Sequence, residues 1–212
     1  MRENSILVFD LDGTLLNSAQ DIIAVLNRVI GEYGGDSIQP LDAMKYIGPP
    51  VKVCFSEELG LTGEELDNAV NRYRKIYIEE YIAKTHAYYG ASKTLNYLRE
   101  SGAKLHVATM KTKQQVDAIM HIFDFMQLFS SIYYVGRGGC YTKEQMLHAI
   151  RKENCGDKFF MIGDTQSDYD AAEATGYEFI FASYGYGRIN RKNIDYVSIS
   201  TITDLQNNIL FI

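Results

Sequence analysis

The sequence predicts an α/β fold, a Rossmann-like doubly wound parallel sheet with an α-helical insertion near the N-terminus. Three observations predict it. An apolar strand, Ser5–Phe9, ends at two aspartates; strand and helix patterns alternate from Gly90 onward; and the stretch between them has only helical periodicity. Alternating strands and helices favour parallel strands joined by right-handed crossovers, with helices on both faces.

The stretch after the first strand has the apolar spacing of helices. Its first helix buries one face and ends at Gly34-Gly35; the apolar positions on that face are Ile22, Ile23, Leu26, Val29 and Ile30. A short helix over 41–46, an apolar stretch over 51–59 and one long helix over 64–84 follow. Because nothing in residues 17–84 has strand character, we expect a helical cap domain there and a catalytic core made of residues 1–16 and 85–212.

The remainder of the chain supplies the other elements of the expected sheet. The predicted strands cover residues 104–109, 131–135, 159–162, 178–182 and 195–199, and the predicted helices cover 91–101, 112–123, 142–154, 168–175 and 202–210. Gly102 and Gly176 follow two of these helices directly, as helix-ending glycines do.

Composition restricts the partners and the compartment. The net charge of −6 over 212 residues gives no basic surface for a nucleic acid or an anionic membrane, and no apolar run has membrane-spanning length. The three cysteines, Cys54, Cys140 and Cys155, are widely spaced and form no CxxC pair, which is typical of reduced thiols. We therefore expect a cytoplasmic protein with neither nucleic-acid nor membrane partners.

Two acidic clusters follow predicted strands. Asp10 and Asp12 follow the first strand, and Asp164 and Asp168 follow the strand over 159–162. One Asp-x-Asp-Gly alone is typical of a turn, and a calcium-binding loop would need Gly at its sixth position, whereas Gly13 is the fourth. Since the carboxyl ends of parallel strands meet at one edge, the two clusters together predict an oxygen-only site suited to Mg²⁺.

The motifs resemble those of a known superfamily. In order along the chain they are Asp10-Leu11-Asp12-Gly13-Thr14-Leu15, Thr109, Lys143 and Gly163-Asp164-x-x-x-Asp168. This set resembles the haloacid dehalogenase superfamily, and within it the phosphoglycolate phosphatase-like hydrolases that carry a helical cap. The resemblance runs from about Ile6 to about Tyr196. Two positions depart from the family pattern. Met110 stands where family members usually have Asn or Ser, and Glu144 stands where they often have Pro.

The resemblance implies a role for each motif residue. Asp10 would be the nucleophile that forms an aspartyl-phosphate, Asp12 the general acid and base, and Lys143 the catalytic cation. Mg²⁺ would be held by Asp10, by the backbone carbonyl of Asp12, and by Asp164 and Asp168. The residues expected to bind substrate are Gly13, Thr14, Thr109, Met110, Lys111 and, from the cap, Lys52.

The implied activity is Mg²⁺-dependent hydrolysis of a small phosphorylated metabolite by a monomer or homodimer. Candidate substrates are 2-phosphoglycolate, a nucleoside monophosphate and pyrophosphate. A β-phosphoglucomutase-like sugar phosphate mutase shares the catalytic set and stays an alternative. A receiver-like phospho-acceptor is about half this length and lacks a helical insertion, and a non-catalytic binding protein would not need the acid Asp12.

Overall fold

The computed structural model describes residues 5–156, 158–187, 189 and 196–207, and within these it forms a six-stranded parallel sheet. The strands in chain order are β1 (Ser5–Phe9), β2 (Leu16–Asn17), β3 (His86–Ala87), β4 (Lys104–Ala108), β5 (Ser131–Tyr133), β6 (Lys158–Gly163), β7 (Glu178–Ala182) and β8 (Val197–Ile199). The order across the sheet is β5-β4-β1-β6-β7-β8. The predicted doubly wound α/β fold is therefore confirmed.

Eight α-helices accompany these strands in the described part of the chain. They are α1 (Ala19–Glu32), α2 (Pro40–Ala43), α3 (Lys52–Leu59), α4 (Gly63–Ile76), α5 (Ala91–Glu100), α6 (Lys113–Ile122), α7 (Lys143–Glu153) and α8 (Gln166–Thr175). None of the helices in the described ranges is long and apolar enough to cross a membrane.

The two faces of the sheet are covered by different helices because side chains alternate along each strand. On β1, Ile6 and Val8 pack in one cluster with apolar residues of α7 and α8. Leu7 and Phe9 point the other way, into a larger cluster with residues of α5, α6 and the helical segment after β2. All five residues of β1 are buried, which explains why this strand is an uninterrupted apolar run.

The helical segment from α1 to Lys84, which we call the insert, leaves and rejoins the core at a small antiparallel ribbon. In this ribbon Leu16 pairs with Ala87, and Asn17 pairs with His86. The expectation that residues 17–84 contain no strand is wrong at Asn17. Two residues of pairing give no periodicity to detect in the sequence, and long-range contact with β3 creates the strand.

The single long helix predicted over residues 64–84 is also wrong beyond Ile76. The α-helical part ends there, a π-helix covers Tyr77–Tyr81, and a 3₁₀ turn covers Ile82–Lys84. Tyr77 is fully buried, stacks on Tyr73 with ring centroids 5.9 Å apart, and bonds a core lysine described below. Tertiary packing of this ring outweighs local helix preference, and π-turns recur at functional positions.

The helix predicted over 41–46 is α2 followed by a 3₁₀ helix over Met44–Tyr46. The other predicted elements match with boundary shifts of up to two residues, except at the C-terminus. The helix predicted over 202–210 is a 3₁₀ helix, Ile202–Gln206, and residues 208–210 lie outside the described residues. The strand predicted over 195–199 is β8, and residue 195 also lies outside the described residues.

Candidate active site

Asp10 lies directly after β1, in the middle of the sheet. Its backbone N–H still donates to the carbonyl of Ile162 on β6 at 3.0 Å, so the strand pairing holds the residue in place. The chain then turns at Gly13, whose φ of +82° favours glycine. A Cβ at Gly13 would lie only 2.2 Å from Oδ2 of Asp164, so the turn also needs glycine for space.

Asp164 and Asp168 meet Asp10 from the end of β6 and the first turn of α8. One carboxylate oxygen from each of the three lies within 4.8 Å of the others, and all three side chains are buried. Asp168 accepts hydrogen bonds from the backbone N–H of Thr165 at 3.0 Å and from its hydroxyl at 2.6 Å, in a capping box. The start of α8 therefore fixes one member of the cluster.

Lys143 is the cation of this cluster. Its Nζ lies 3.0 Å from Oδ2 of Asp10 and also bonds Oδ1 of Asp168, and its side chain is almost fully buried. Lys143 is the first residue of α7, which a capping box between Thr142 and Gln145 holds at its start. Burial alone would lower the pKa of the Lys143 ammonium, but Asp10 and Asp168 outweigh it and raise the pKa.

The three carboxylates carry more negative charge than Lys143 balances. Burial raises the pKa of the Asp10 carboxyl well above its usual range, with Asp168 and Asp164 adding to the effect and Lys143 opposing it. Burial and Asp168 raise the pKa of Asp164 to about 6, against the hydrogen bonds that it accepts. Buried acids crowded in this way form a site that a divalent cation would relieve.

A loop after β7 completes the setting of Asp164. The backbone N–H groups of Tyr186 and Gly187 donate to its Oδ2 at 2.8 Å and 3.1 Å. A Cβ at Gly187 would come within 2.0 Å of the Asp164 carbonyl oxygen, which explains the glycine. The hydroxyl of Tyr186 also accepts from the backbone N–H of Ala19 at 3.1 Å, so the same loop holds the start of α1.

Asp12 stands apart from the three clustered carboxylates. Its Oδ2 lies 2.9 Å from Nζ of Lys111, and its Oδ1 accepts a hydrogen bond from the hydroxyl of Ser18. Lys111 in turn donates to the hydroxyl of Tyr77 at 3.2 Å and lies 4.6 Å from the centroid of its ring. A chain of contacts thus runs from the insert, at Tyr77, through Lys111 to Asp12.

Lys111 keeps its charge in this environment. The side chain is 5% exposed, and burial would lower its pKa, but the carboxylate of Asp12, together with Tyr77 and Tyr73, outweighs burial and raises the pKa. Lys113, two residues later, is exposed and pairs with Asp117 at 2.7 Å on the surface of α6. Only the first of the two lysines is directed to the site.

Thr109 and Met110 lie at the carboxyl end of β4, beside Asp10. Thr109 is buried, and its hydroxyl accepts from the backbone N–H of Lys111 at 3.3 Å. Met110 is half-buried beside it. The hydroxyl of Thr14 donates to Oδ1 of Asp164 at 3.4 Å, on the buried side of the cluster.

A cavity of about 540 Å³ opens above Asp10, between the core and the insert. The core side of its lining includes Asp10, Asp12, Thr109, Met110, Lys111 and Lys143, and the insert side includes Tyr46, Gly48, Lys52, Asn71 and Arg74. The cavity thus brings together most of the residues singled out from the sequence. Gly13, Thr14, Asp164 and Asp168 are not among its lining residues and lie beneath it.

Sequence reasoning missed four contributors to the site. They are Ser18, Tyr77, Arg74 and the loop that carries Tyr186 and Gly187. The loop had a signal, since Gly185-Tyr186-Gly187 comes two residues after an apolar strand. Arg74 had no signal, and neither did the contact of Tyr77 with Lys111, because both depend on how the insert folds back on the core. Ser18 is only six residues from Asp12, but it belongs to none of the motifs.

Comparison with known proteins agrees with this geometry. The phosphoglycolate phosphatase of Aquifex aeolicus is 30% identical over 205 residues, which cover 94% of each chain. The tyrosine-protein kinase PtkA of Mycobacterium tuberculosis is 29% identical over 93% of this chain and 68% of that protein. Among solved structures, a predicted phosphatase from Clostridium acetobutylicum has a TM-score of 0.85 at 27% identity, over 99% of each chain.

A family-wide sequence pattern matches most of the chain. The pattern described as haloacid dehalogenase-like hydrolase covers residues 7–182, from the middle of β1 to the end of β7. That range includes Asp10, Lys143 and the Asp164–Asp168 segment, which meet at one edge of the sheet. The chain therefore belongs to the haloacid dehalogenase-like hydrolase family.

Proposed function

We propose that this protein is a Mg²⁺-dependent phosphatase of small phosphorylated metabolites that works through an aspartyl-phosphate on Asp10, with 2-phosphoglycolate as the first candidate substrate. One observation carries the proposal: three buried carboxylates and one buried lysine meet at the end of β1, below a cavity. The similarity to a protein named phosphoglycolate phosphatase supports the candidate substrate.

The donor set of the site fits magnesium. The clustered ligands are all carboxylate oxygens, which suit Mg²⁺. With Lys143 as the paired cation, three carboxylates leave an excess negative charge in a buried site, and Asp12 is already paired with Lys111. Asp10 and Asp164 would hold the ion together with the Asp12 backbone carbonyl, while Asp168 holds Lys143 and helps to shape the site. When bound, Mg²⁺ would offset the repulsion between Asp10 and a phosphate dianion.

In the proposed reaction Asp10 is the nucleophile, and Asp12 transfers protons. A carboxylate oxygen of Asp10 forms a bond to phosphorus as the ester P–O bond breaks, and Asp12 gives its proton to the leaving alkoxide. In the second half, Asp12 takes a proton from water as the water oxygen attacks phosphorus. The Asp10–phosphorus bond breaks, and inorganic phosphate leaves.

The other site residues bind and orient the phosphoryl group. Lys143 offers a positive charge next to Asp10, and Thr109 and the backbone at Met110 border the same position. Gly13 and Thr14 act from below, where they shape the turn and support Asp164. Lys111 lies on the cavity wall and acts through its ion pair with Asp12 as well as on the substrate.

The insert is proposed to act as a cap domain over a core formed by residues 1–16 and 85–212. It joins the core at the ribbon of β2 and β3, and two connections permit hinge motion. Closure would exclude water and bring Lys52 and its neighbours in the insert over the substrate. A small phosphorylated metabolite fits such an enclosed site, and we propose that the protein acts in the cytoplasm, as a monomer or homodimer.

The test is a phosphate-release panel with 2-phosphoglycolate, a nucleoside monophosphate, pyrophosphate and p-nitrophenyl phosphate, with Mg²⁺ and with excess chelator. We expect release that needs Mg²⁺ and falls by on the order of 10⁴-fold or more in Asp10→Asn. Asp36→Asn, at an exposed position of the insert, is the matched control and should retain activity.

Two results would contradict the proposal. One is activity that persists in Asp10→Asn or in chelator. The other is interconversion of glucose phosphates without net phosphate release, which would identify a mutase.

A further inference from the structure

Four cationic side chains line the cavity above Asp10, and two of them are already paired. Lys143 is bound to Asp10 and Asp168, and Lys111 is bound to Asp12. The other two, Lys52 and Arg74, both come from the insert. Neither has an ion-pair partner in the part of the chain that the structure describes.

Of these two side chains, Arg74 is the better placed to bind a ligand in the cavity. Lys52 is exposed at the first turn of α3, whereas Arg74 is half-buried on α4. Arg74 also lines a second cleft that adjoins the cavity, so its side chain lies where the two spaces meet. The carboxylate of Asp67, about two turns earlier on α4, is exposed and beyond ion-pairing distance.

Arg72, on the same helix, differs from Arg74 in having a carboxylate partner. Arg72 binds both carboxylate oxygens of Glu32, at 2.7 Å and 2.8 Å, on the outer surface of the insert. Arg74 makes no such contact among the described residues, although it is also half-buried. A guanidinium that loses hydration without a partner costs free energy, and its planar fork is matched to carboxylate and phosphate.

We propose that Arg74 binds an anionic group on the leaving alcohol of the substrate, a carboxylate or a second phosphate. The core already supplies cations beside Asp10, whereas Arg74 comes from the opposite wall, where the leaving alcohol must lie. The substrate class is therefore phosphate monoesters with a second negative charge. This inference rests on the proposed phosphatase function and adds to it the selectivity of the insert.

The test compares three esters that share a two-carbon skeleton and differ at the far end. These are 2-phosphoglycolate with a carboxylate, ethylene glycol bisphosphate with a phosphate, and 2-hydroxyethyl phosphate with a neutral hydroxyl. In Arg74→Gln we expect kcat/KM for the preferred charged ester to fall roughly ten- to a hundred-fold, as for a lost charge-assisted hydrogen bond. For the neutral ester it should change less than about threefold, the size of effect expected where no such bond is lost.

Two further variants test whether the effect of Arg74→Gln comes from the guanidinium of Arg74, and not only from the loss of a positive charge on α4 or of stability of that helix. Lys75→Gln removes a charge from the adjacent, exposed position on α4, which does not line the cavity, and should leave the ratio between esters unchanged. Arg74→Lys keeps the charge without the fork, so selectivity should recover more for a phosphate than for a carboxylate. Whichever charged ester the wild type prefers identifies the source of the anion.

Binding to the Asp10→Asn variant measures the same selectivity without turnover. With Mg²⁺ present, calorimetry should show tighter binding of the charged ester than of the neutral one, and Arg74→Gln should remove the difference. Equal losses for all three esters in Arg74→Gln, or no change of the ratio, would overturn the proposal, as would equal binding of the esters. Selective binding that depends on Arg74, with no turnover in the wild type, would instead refute the phosphatase function alone.

Discussion

The carboxyl edge of the sheet and the facing wall of the insert differ in how their charges are used. At the sheet edge, Lys143 and Lys111 each bind a carboxylate at about hydrogen-bond distance. On the insert wall, Lys52 and Arg74 have no carboxylate partner in the described residues. The charges of the core are therefore held in a fixed arrangement for chemistry, whereas those of the insert wall are free to bind a ligand.

The two regions also differ in how their positions are held. Asp10 follows the most deeply buried strand and remains tied to β6, and Asp168 is held by a capping box. The insert meets the site through the side chain of Tyr77, which contacts Lys111, and Ser18, just before the insert, bonds Asp12. Changes in the core should therefore alter the rate for every substrate, and changes in the insert should alter the relation between substrates.

The largest effect after loss of the nucleophile is expected at Asp12. Asp12→Asn removes proton transfer to the leaving group, so hydrolysis of an alkyl phosphate should slow by about 10²- to 10⁴-fold. An aryl phosphate with a good leaving group needs less protonation and should slow less in the first step. The measurement is kcat for the two esters, with single-turnover kinetics to isolate that step.

The control for this prediction is Asp117→Asn, which removes a carboxylate from the surface pair with Lys113 and should leave both rates near those of the wild type. Equal losses for the alkyl and aryl esters in Asp12→Asn would argue against a general acid at this position.

A smaller effect is expected at Tyr77, where the insert contacts Lys111, the partner of Asp12. Tyr77→Phe removes the hydroxyl that Lys111 contacts but keeps the ring, so Lys111 and Asp12 should be held less firmly. We expect kcat to fall by roughly three- to tenfold, as for one lost hydrogen bond, and more for alkyl than for aryl esters. The measurement is the ratio of the two rates.

Tyr81→Phe is the matched control, since Tyr81 lies one turn later in the same π-helix and its ring contacts Lys84, whereas Lys111 bonds Tyr77. If Tyr77→Phe lowers both rates by the same factor, the hydroxyl only stabilises the insert, and the proposed link to Asp12 is wrong.

The smallest effect on activity is expected at His106 on β4. Substitution of this residue should change the stability of the fold and leave turnover nearly unchanged. Burial lowers the pKa of its imidazole to about 4, with Lys104 adding to the effect, and Nδ1 bonds the hydroxyl of Ser131 at 2.8 Å. Between pH 6.5 and 4 the unfolded chain binds a proton at this residue and the folded chain does not. This residue's contribution therefore makes the folded state less stable as the pH falls through that window, by up to about 3 kcal/mol.

The measurement is the free energy of unfolding against pH for the wild type and His106→Gln, because buried carboxylates titrate in the same range with the opposite sign. The variant should lose stability less steeply below pH 6.5 than the wild type. His148→Gln, at an exposed position, is the control. Parallel curves for the wild type and His106→Gln would contradict the assignment.

The core was more predictable from the sequence than the insert was. The strands β1 and β6 could be predicted closely because each is a short, largely apolar run followed by an aspartate of the site, Asp10 or Asp164. Motif spacing likewise predicted the cluster of Asp10, Asp164 and Asp168. These features are local in the sequence, or follow from the rule that parallel strand ends meet.

The parts that the sequence could not predict depend on contacts between distant segments. The π-helix at Tyr77–Tyr81 replaces a predicted α-helix, in a segment packed against Lys111, 34 residues away. Arg74 carries no motif, and only the position of α4 over the cavity distinguishes it from Arg72. Neither periodicity nor spacing encodes where a helical insert rests on its core.

Trapping the intermediate tests whether Asp10 performs covalent chemistry within a fixed core. The protein is mixed with a turned-over phosphate ester and Mg²⁺, quenched, and treated with borohydride, which reduces an acyl phosphate to an alcohol. Peptide mass spectrometry should then find residue 10 converted to homoserine only when both ester and Mg²⁺ were present, and equally in the wild type and Arg74→Gln at saturating ester. An unmodified Asp10 during turnover, or conversion of a different aspartate, would contradict an aspartyl-phosphate mechanism on Asp10.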